Sequence, residues 1–219
     1  MSRGHCCARF QPRFGAKIGS LSLVASAAFA AGAAAEPAAI ETAVEATAYY
    51  YALRDEPDLT SVVVAGDREA LHLEARYNYE ERDAGSAFLG WTFSGGDELS
   101  FEATPIVGVL FGSAHGLIPG LEASLAYGPF DASVEAEYVG NLDEHAASYF
   151  YTWDELGWSP NAWLRVGLAG QRTRAIHGDR TLERGLFATF TVAKAHFGVY
   201  AFNPDLDSRY VVAMFGVSF

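Results

Sequence analysis

The last ten residues of the chain, residues 210–219, read YVVAMFGVSF, and their pattern decides how the rest of the sequence is interpreted. Successive side chains of a β-strand point to opposite faces, so every second residue meets the same surroundings. One face of this stretch carries Val211, Ala213, Phe215, Val217 and Phe219. The alternation predicts a strand with an apolar face that ends the protein on an aromatic residue.

Residues 1–35 have the three parts of a secretory signal peptide. The first part is basic and contains Arg3, Arg9, Arg13 and Lys17. Residues 18–31 form an apolar segment, and the alanines at 33–35 precede Glu36 in the small-x-small pattern of a signal peptidase site. We therefore expect export of the protein and cleavage after Ala35.

Composition narrows the classes of partner and of fold. The chain has 15 basic and 27 acidic residues, and removal of the leader leaves 11 basic residues against 27 acidic ones. This acidity argues against nucleic acid as a partner, because phosphates require a basic surface. Cys6 and Cys7 both lie in the leader, so the mature chain has no disulfide or thiolate metal site. After the leader no apolar run reaches the roughly 18 residues of a membrane-spanning helix, so any insertion must use strands.

Alternating strands are predicted throughout residues 47–219, after a lead-in at 36–46 that we interpret as a periplasmic arm. The clearest strand places Leu71, Leu73 and Ala75 on one face and Glu74 and Arg76 on the other. The pattern gives about twelve strands, at 47–54, 59–66, 69–80, 85–94, 98–112, 116–127, 130–140, 148–157, 161–173, 182–194, 195–203 and 208–219. Pro105 and Pro119 fall inside strands, and we predict a bulge at each.

The predicted connections alternate between short and long. The short ones are Asp67-Arg68, residues 95–97, Gly128-Pro129, Ser159-Pro160 and Lys194-Ala195. The long ones are residues 141–147, 174–181 and 204–207, and all fall at the opposite end. A soluble sandwich gives no reason for this asymmetry, whereas outer-membrane barrels have short periplasmic turns and longer outer loops.

Aromatic residues are predicted to form two girdles at the ends of the strands. The inner girdle consists of Trp91, Phe93, Phe101, Tyr127, Phe130, Phe197 and Phe219. The outer girdle consists of Tyr77, Tyr79, Phe111, Tyr138, Tyr149 and Tyr151. Between them, apolar outward residues would face lipid.

Together the leader, the strand pattern, the loop asymmetry and the terminal Phe219 resemble the Gram-negative outer-membrane β-barrels. The resemblance implies an all-β, transmembrane, antiparallel up-and-down β-barrel of about 12 strands in the outer membrane of the bacterial cell. It also implies that the lipid bilayer is a partner and that Phe215, Val217 and Phe219 form the signal read by the barrel-assembly machinery. Small monomeric channels of about twelve strands that take up acidic oligosaccharides are similar in size and loop economy, but their lumens are basic.

The predicted hairpins place charged residues opposite each other in the lumen. A turn at Gly128-Pro129 puts Glu122 directly across from Glu135, where the carboxylates repel unless one is protonated or a cation lies between them. This pair is interpreted either as a cation-attracting constriction or as glutamates hydrated in a wide lumen or paired with Arg76 or Arg165. The predicted inward acids are Glu74, Glu80, Glu102, Glu122, Asp131, Glu135, Glu137 and Asp154, against Arg76 and Arg165.

Two further neighbours follow from the same reasoning. A turn at Ser159-Pro160 would place Asp154 opposite Arg165 as a lumenal ion pair that holds the register. Glu74 and Glu102 would share a layer across Gly90.

No catalytic, cofactor or metal site is predicted. Ser113 and His115 stand in the reverse order to the His-x-Ser of outer-membrane acyl hydrolases. Residues 143–145 could bind a divalent cation, but a solvated loop is the favoured interpretation. His72 and His177 lack the spacing of a zinc site.

Three functions remain open on the sequence alone. The favoured hypothesis is a small passive channel with an acidic, cation-favouring lumen for small solutes, since many inward residues, such as Gly108 and Ser124, are small. The alternative is a plugged structural or adhesive barrel, which the predicted inward aromatic residues Phe150, Trp163, Phe187, Tyr200 and Phe202 favour. The third is a lipid-modifying enzyme. The sequence does not name a solute.

Overall fold

The computed structural model describes residues 42–54, 56–143, 146–176, 178 and 180–219. The predicted signal peptide and residues 36–41 of the predicted lead-in lie outside the described residues. Within the described ranges, no helix has the length and apolar character needed to cross a bilayer, a result that does not bear on β-barrels.

The described residues form thirteen strands that together make one antiparallel sheet. Their bounds are β1 Thr42–Ala52, β2 Leu59–Arg68, β3 Leu71–Tyr77, β4 Ala84–Trp91, β5 Phe93–Gly95, β6 Leu99–Gly112, β7 Gly116–Tyr127, β8 Phe130–Asn141, β9 Tyr149–Asn161, β10 Leu164–Ala175, β11 Arg180–Val192, β12 Ala195–Phe202 and β13 Tyr210–Ser218. β4 and β5 both pair with β6 in one register and are two parts of a single strand interrupted at Thr92. The sheet is therefore a barrel of twelve strands.

The first and last strands close the barrel. β1 pairs with β2 on one side and with β13 on the other, and the Phe219 N–H donates to the carbonyl oxygen of Val44 at 2.8 Å. Because no strand edge is left open, every strand can satisfy its backbone groups inside a bilayer. The predicted transmembrane, antiparallel up-and-down barrel is confirmed.

The ends of the barrel differ in the length of their connections. One end, called here the short-turn end, has connections at 69–70, 96–98, 128–129, 162–163 and 193–194, together with both termini of the described barrel. The other, called the long-loop end, has connections at 53–58, 78–83, 113–115, 142–148, 176–179 and 203–209. This matches the predicted asymmetry of a barrel whose longer loops face the cell exterior.

Several strand boundaries differ from the prediction. The first tight turn lies at residues 69–70 and not at Asp67-Arg68, and the largest differences concern β1 and β9. β1 begins at Thr42, so residues 42–46 belong to the barrel and not to the lead-in. β9 continues through Ser159 and Pro160 to Asn161, and the chain turns at residues 162–163. The Asn161 Oδ1 atom accepts hydrogen bonds from the N–H groups of Trp163 and Leu164, and this side-chain contact fixes the turn there.

The outer surface between the two ends is apolar. The predicted inner girdle is exposed as expected, with Trp91, Phe93, Phe101, Tyr127, Phe130, Phe197 and Phe219 on the outer face. In the outer girdle Tyr77, Phe111 and Tyr138 are exposed, but Tyr79, Tyr149 and Tyr151 are buried in the barrel interior. That part of the girdle prediction is wrong, and these three rings instead help to fill the lumen.

The prolines do not form the predicted bulges. β6 and β7 pair in one continuous register that includes Pro105 opposite Leu121 and Pro119 opposite Val107. Pro105 has no N–H to donate to the neighbouring strand, and the pairing of β4 and β5 with β6 lapses next to it. There the hydroxyls of Thr92 and Thr104, 3.0 Å apart, interact instead.

Candidate functional site

A cavity of about 940 Å³ occupies the short-turn end of the barrel and is called here the vestibule. Its mouth is formed by residues of the terminal turns, including Gly96, Pro129 and Phe219. Its inner end is lined by Glu122, Glu135 and Trp153. Since these lie near mid-strand, the vestibule occupies about half of the barrel's height.

The vestibule is lined mainly by acidic and small side chains. Its acidic residues are Glu45, Asp67, Glu102, Glu122, Asp131 and Glu135, and its basic or titratable partners are Arg165 and His72. Six serines, at positions 94, 100, 124, 133, 159 and 218, line the same space. Glu102, Glu122 and Glu135, which were predicted to face the lumen, therefore all line this one cavity. Its lining contains more carboxylates than cationic groups.

A buried charged cluster lies at the inner end of the vestibule and is called here the Arg76 cluster. It consists of Arg76 with Glu74, Glu80, Glu122, Glu135 and Glu137. Arg76 Nη1 donates to Glu137 Oε1 at 2.8 Å, and Nη2 donates to Glu135 Oε1 at 2.8 Å. Arg76 Nε donates to Glu74 Oε1. Because Arg76 stands on β3 and its glutamate partners Glu135 and Glu137 on β8, the cluster bridges the lumen.

The predicted register of β7 and β8 is confirmed, because Glu122 pairs directly with Glu135. The sequence left open whether this pair forms a cation-attracting constriction or is instead hydrated or paired with Arg76 or Arg165, and in the structure both glutamates pair with Arg76. Arg76 Nη2 is 3.5 Å from Glu122 Oε1 as well as 2.8 Å from Glu135 Oε1.

Aromatic rings enclose the Arg76 guanidinium. Its carbon lies 4.2 Å from the ring centre of Tyr79 and 4.2 Å from that of Phe88. The Tyr79 hydroxyl donates to Glu135 Oε2 at 3.1 Å. The side chains of Arg76 and Glu137 are 0% exposed, so water does not reach them in this layer.

A second filled layer consists of aromatic side chains from the strands on the other side of the barrel. Trp153 packs edge-on against Tyr200 and Phe202, with ring centres 5.7 and 5.1 Å apart. Phe202 stacks on Tyr210 at 5.0 Å, and Tyr51 lies 6.4 Å from Tyr210. The predicted inward positions of Tyr200, Phe202 and Phe187 are confirmed.

The predicted ion pair between Asp154 and Arg165 is wrong. Asp154 lies opposite Gly170 on the outer face of the barrel, because the β9–β10 turn lies at residues 162–163. Glu155 takes the inward position and is 4% exposed. Arg165 is inward as predicted, and it pairs with Glu155 Oε2 at 2.6 Å and with Asp131 Oδ2 through Nε at 3.0 Å. The same shift turns Phe150 outward and puts Trp163 in the turn, both against the prediction.

The predicted layer of Glu74 and Glu102 across Gly90 is also wrong. Glu74 lies opposite Phe88, and the residue opposite Gly90 is His72. Glu74 belongs to the Arg76 cluster, whereas Glu102 pairs with Ser94 and Ser124 near the mouth of the vestibule.

One group of side chains has the composition of a metal site. His72, Glu74 and Glu122 each offer a ligand atom within 4.8 Å of the others. His72 Nδ1 lies 2.7 Å from Asp67 Oδ1, which leaves Nε2 directed towards Glu74. Arg76 contacts both glutamates, so a bound cation would compete with this guanidinium. Local spacing could not reveal the group because Glu122 comes from β7 and the other two residues from β3.

The residues considered for catalysis do not form a hydrolase site. Ser113 Oγ donates to the backbone carbonyl of Arg82 at 2.6 Å. His115 Nδ1 lies 3.7 Å from Asp143 Oδ1, and both side chains are substantially exposed. Residues 144, 145 and 177 lie outside the described residues. The arrangement of Ser113 and His115 therefore offers no activated nucleophile.

The comparisons with known proteins are consistent with this architecture. No family model matches the sequence, and no curated protein matches it. The structure is similar to that of the KdgM porin, with a TM-score of 0.59 at 8% sequence identity, over 81% of this chain and 98% of the porin. A second structure, the KdgM porin in complex with disordered oligogalacturonate, matches with the same values. At this identity the likeness shows the fold alone, which is a closed antiparallel β-barrel.

Proposed function

We propose that the protein is a porin-like channel of the bacterial outer membrane, with an acidic vestibule that favours small cationic or neutral solutes. The observation that carries the proposal is the lining of the vestibule, where six carboxylates accompany Arg165 and His72. Fixed charges of one sign inside a narrow, low-dielectric wall concentrate counter-ions and repel co-ions. Cations would therefore accumulate in the vestibule and anions would be excluded.

The solute is proposed to differ in charge from that of the structural neighbour. One KdgM porin structure contains oligogalacturonate, a chain of sugar carboxylates. In this protein Glu102 and Glu122 line the cavity that such a polyanion would have to enter. The repulsion argues for solutes that carry positive charge or none.

The narrowest part of the proposed pathway is the Arg76 cluster. Its buried side chains obstruct the lumen at that level, so conduction would require the cluster to rearrange. Ion pairs are more readily rearranged by water and ions than an apolar plug, because each charged group can exchange one partner for another. The cluster would then act as a constriction that limits the size of the solute and the conductance.

A second candidate is a barrel of the same fold that carries no solute. The aromatic layer of Trp153, Tyr200 and Phe202 favours it, since these rings are 0–1% exposed and pack against one another. Such a barrel would have a structural or adhesive role, with the vestibule as a closed pocket.

Recordings from the purified protein in planar bilayers test the proposal. We expect discrete conductance steps and a reversal potential in a potassium chloride gradient that reports cation preference. The E102Q/E122Q variant should lose part of that preference, while E56Q, at the exposed residue Glu56 in the 53–58 loop, should keep it. Correctly folded protein with no conductance would favour the second candidate, and anion preference of the wild type would overturn the proposed selectivity.

A further inference from the structure

The outer face of the β10–β11 hairpin carries four arginines at the long-loop end: Arg172, Arg174, Arg180 and Arg184, called here the arginine patch. Their orientation follows from the inward residues beside them. Gln171 lies opposite Glu183, and both accept a hydrogen bond from the buried Tyr210 hydroxyl inside the barrel. Since Gln171 and Glu183 point inwards, the residues next to them on each strand point to the outer face, and so does every second residue from there.

The register concentrates positive charge in this patch. Arg174 lies directly opposite Arg180, and Arg184 lies opposite Gly170, close to Arg172 on the same face. Like charges that face each other across two strands are destabilising unless an anion lies between them. Four of the chain's 15 basic residues stand on this one hairpin, although the protein as a whole has a net charge of −12.

Carboxylates of the protein compensate this charge only in part. Arg184 Nη2 lies 2.6 Å from Asp205 Oδ2, and both side chains are more than half exposed. Asp154 stands beside Gly170 on the same face. Asp154 also interacts electrostatically with Arg172.

The patch adjoins the apolar belt of the barrel, and one exposed apolar side chain, Leu182, lies within the patch opposite Arg172. The next outward pair towards the short-turn end is Leu168 opposite Leu186, which are 55% and 57% exposed. Arg184 precedes Leu186 by two residues, which is about 7 Å along a strand. When hydrocarbon covers the leucines, the arginines lie at the height of the lipid headgroups.

We infer that the arginine patch binds the phosphorylated headgroup of a glycolipid in the outer leaflet. This inference rests on the proposed location of the barrel in the outer membrane, with its long-loop end outwards. Guanidinium groups bind phosphate through paired, charge-assisted hydrogen bonds, and Arg suits this contact better than Lys. Acyl chains of the same lipid would lie along Leu168 and Leu186, so a single ligand would contact both the arginine patch and this pair of leucines.

Binding of a purified glycolipid to the full barrel in detergent tests the inference. The probe is a bisphosphorylated, acylated glucosamine disaccharide, compared with the same lipid after removal of its phosphates. We expect the phosphorylated form to bind more tightly and the R174Q/R180Q variant to lose at least about tenfold in affinity for it, as expected for the loss of charge-assisted contacts. R174K/R180K should lose less, because it keeps the charges.

The matched control is R54Q/R209Q, which removes two exposed arginines of the 53–58 and 203–209 loops that are not part of the arginine patch. Folding of each variant is verified by the heat-modifiable gel mobility of the barrel. Equal affinity for the two lipids, an equal loss in R54Q/R209Q, or full competition by inorganic phosphate alone would overturn the inference. Conductance of the same samples is recorded separately. Phosphate-dependent lipid binding without conductance would contradict the proposed channel function but would support the proposed lipid site.

Discussion

Glu122 and Glu135 lie directly opposite each other on β7 and β8, and the Arg76 guanidinium lies between their carboxylates. The positive charge between the two facing glutamates is therefore that of Arg76, which lies on β3. Five glutamates contact this single guanidinium, so the cluster retains an excess of carboxylates over cations. The Arg76 cluster thus joins β3 to β8 through the interior and places its carboxyl groups at the inner end of the vestibule.

Removing Arg76 should strongly destabilise the barrel. The R76Q variant leaves buried glutamates without their shared partner, and breaking a buried ion pair in this way costs about 3–5 kcal/mol. We expect a lower urea midpoint for loss of the heat-modifiable form in detergent. The exposed Arg68 offers a matched control, and R68Q should unfold at the wild-type midpoint. R76Q/E135Q should recover part of the loss, and equal midpoints for R76Q and wild type would refute this account of the cluster.

The ion pairs of Arg76 mark the limit of what the sequence predicts. Alternation and a turn at Gly128-Pro129 were enough to place Glu122 opposite Glu135, since both lie on one hairpin. Hairpin geometry relates only adjacent strands, and β3 and β8 are not adjacent. The contact from Arg76 to Glu135 depends on the closure and diameter of the barrel, which local patterns do not specify.

β9 shows a second kind of limit. Its sequence, YFYTWDELGW, has aromatic and charged residues on both faces, so a period of two does not identify the inward face. The Ser159-Pro160 dipeptide is typical of a turn, but the chain turns at residues 162–163, where the Asn161 side chain accepts hydrogen bonds from the backbone. Because the β9–β10 register differs by one residue from the predicted one, Glu155 and not Asp154 is the acidic residue that faces the lumen.

Crosslinking should report the observed β9–β10 register. The mature chain is expected to have no cysteine, so cysteines placed at Asp154 and Gly170 would be the only reactive pair. We expect efficient crosslinking of D154C/G170C by a short bifunctional reagent, because directly opposed residues on adjacent strands have Cβ atoms about 5 Å apart. D154C/R165C should crosslink poorly, because these side chains lie on opposite faces of the barrel wall. The reverse result would restore the register predicted from Ser159-Pro160.

Deletion of Phe219 should impair assembly of the barrel. Its N–H bonds to Val44 at the seam between the first and last strands, and its ring is 68% exposed on the outer surface. We expect less heat-modifiable protein in outer-membrane fractions, since the terminal strand with Phe215 and Val217 is proposed to be recognised during insertion. W163A removes another exposed ring at the same end and should assemble normally. Unchanged yield after deletion of Phe219 would exclude it as the assembly signal.

Replacing both Glu122 and Glu135 by glutamine should reduce cation selectivity. The double variant keeps the shape of the side chains but removes two negative charges at the inner end of the vestibule, where a low-dielectric wall strengthens their effect. Arg76 retains Glu74, Glu80 and Glu137 as partners, so the constriction should persist. In a salt gradient we expect the reversal potential to move towards zero, with the cation-to-anion permeability ratio lowered at least about twofold.

Two control variants, E56Q and E98Q, show whether a change in selectivity comes from the vestibule. They replace exposed acidic residues at the long-loop end and the short-turn end, respectively. Each removes charge outside the lumen, where water and salt screen it within about 10 Å, and should leave the permeability ratio near that of the wild type. If E122Q/E135Q conducts with an unchanged cation preference, the glutamates are already neutralised by Arg76 and selectivity must come from Glu102 or Asp67 nearer the mouth. If all three variants shift the ratio equally, the preference reflects the overall acidity of the protein and not the vestibule.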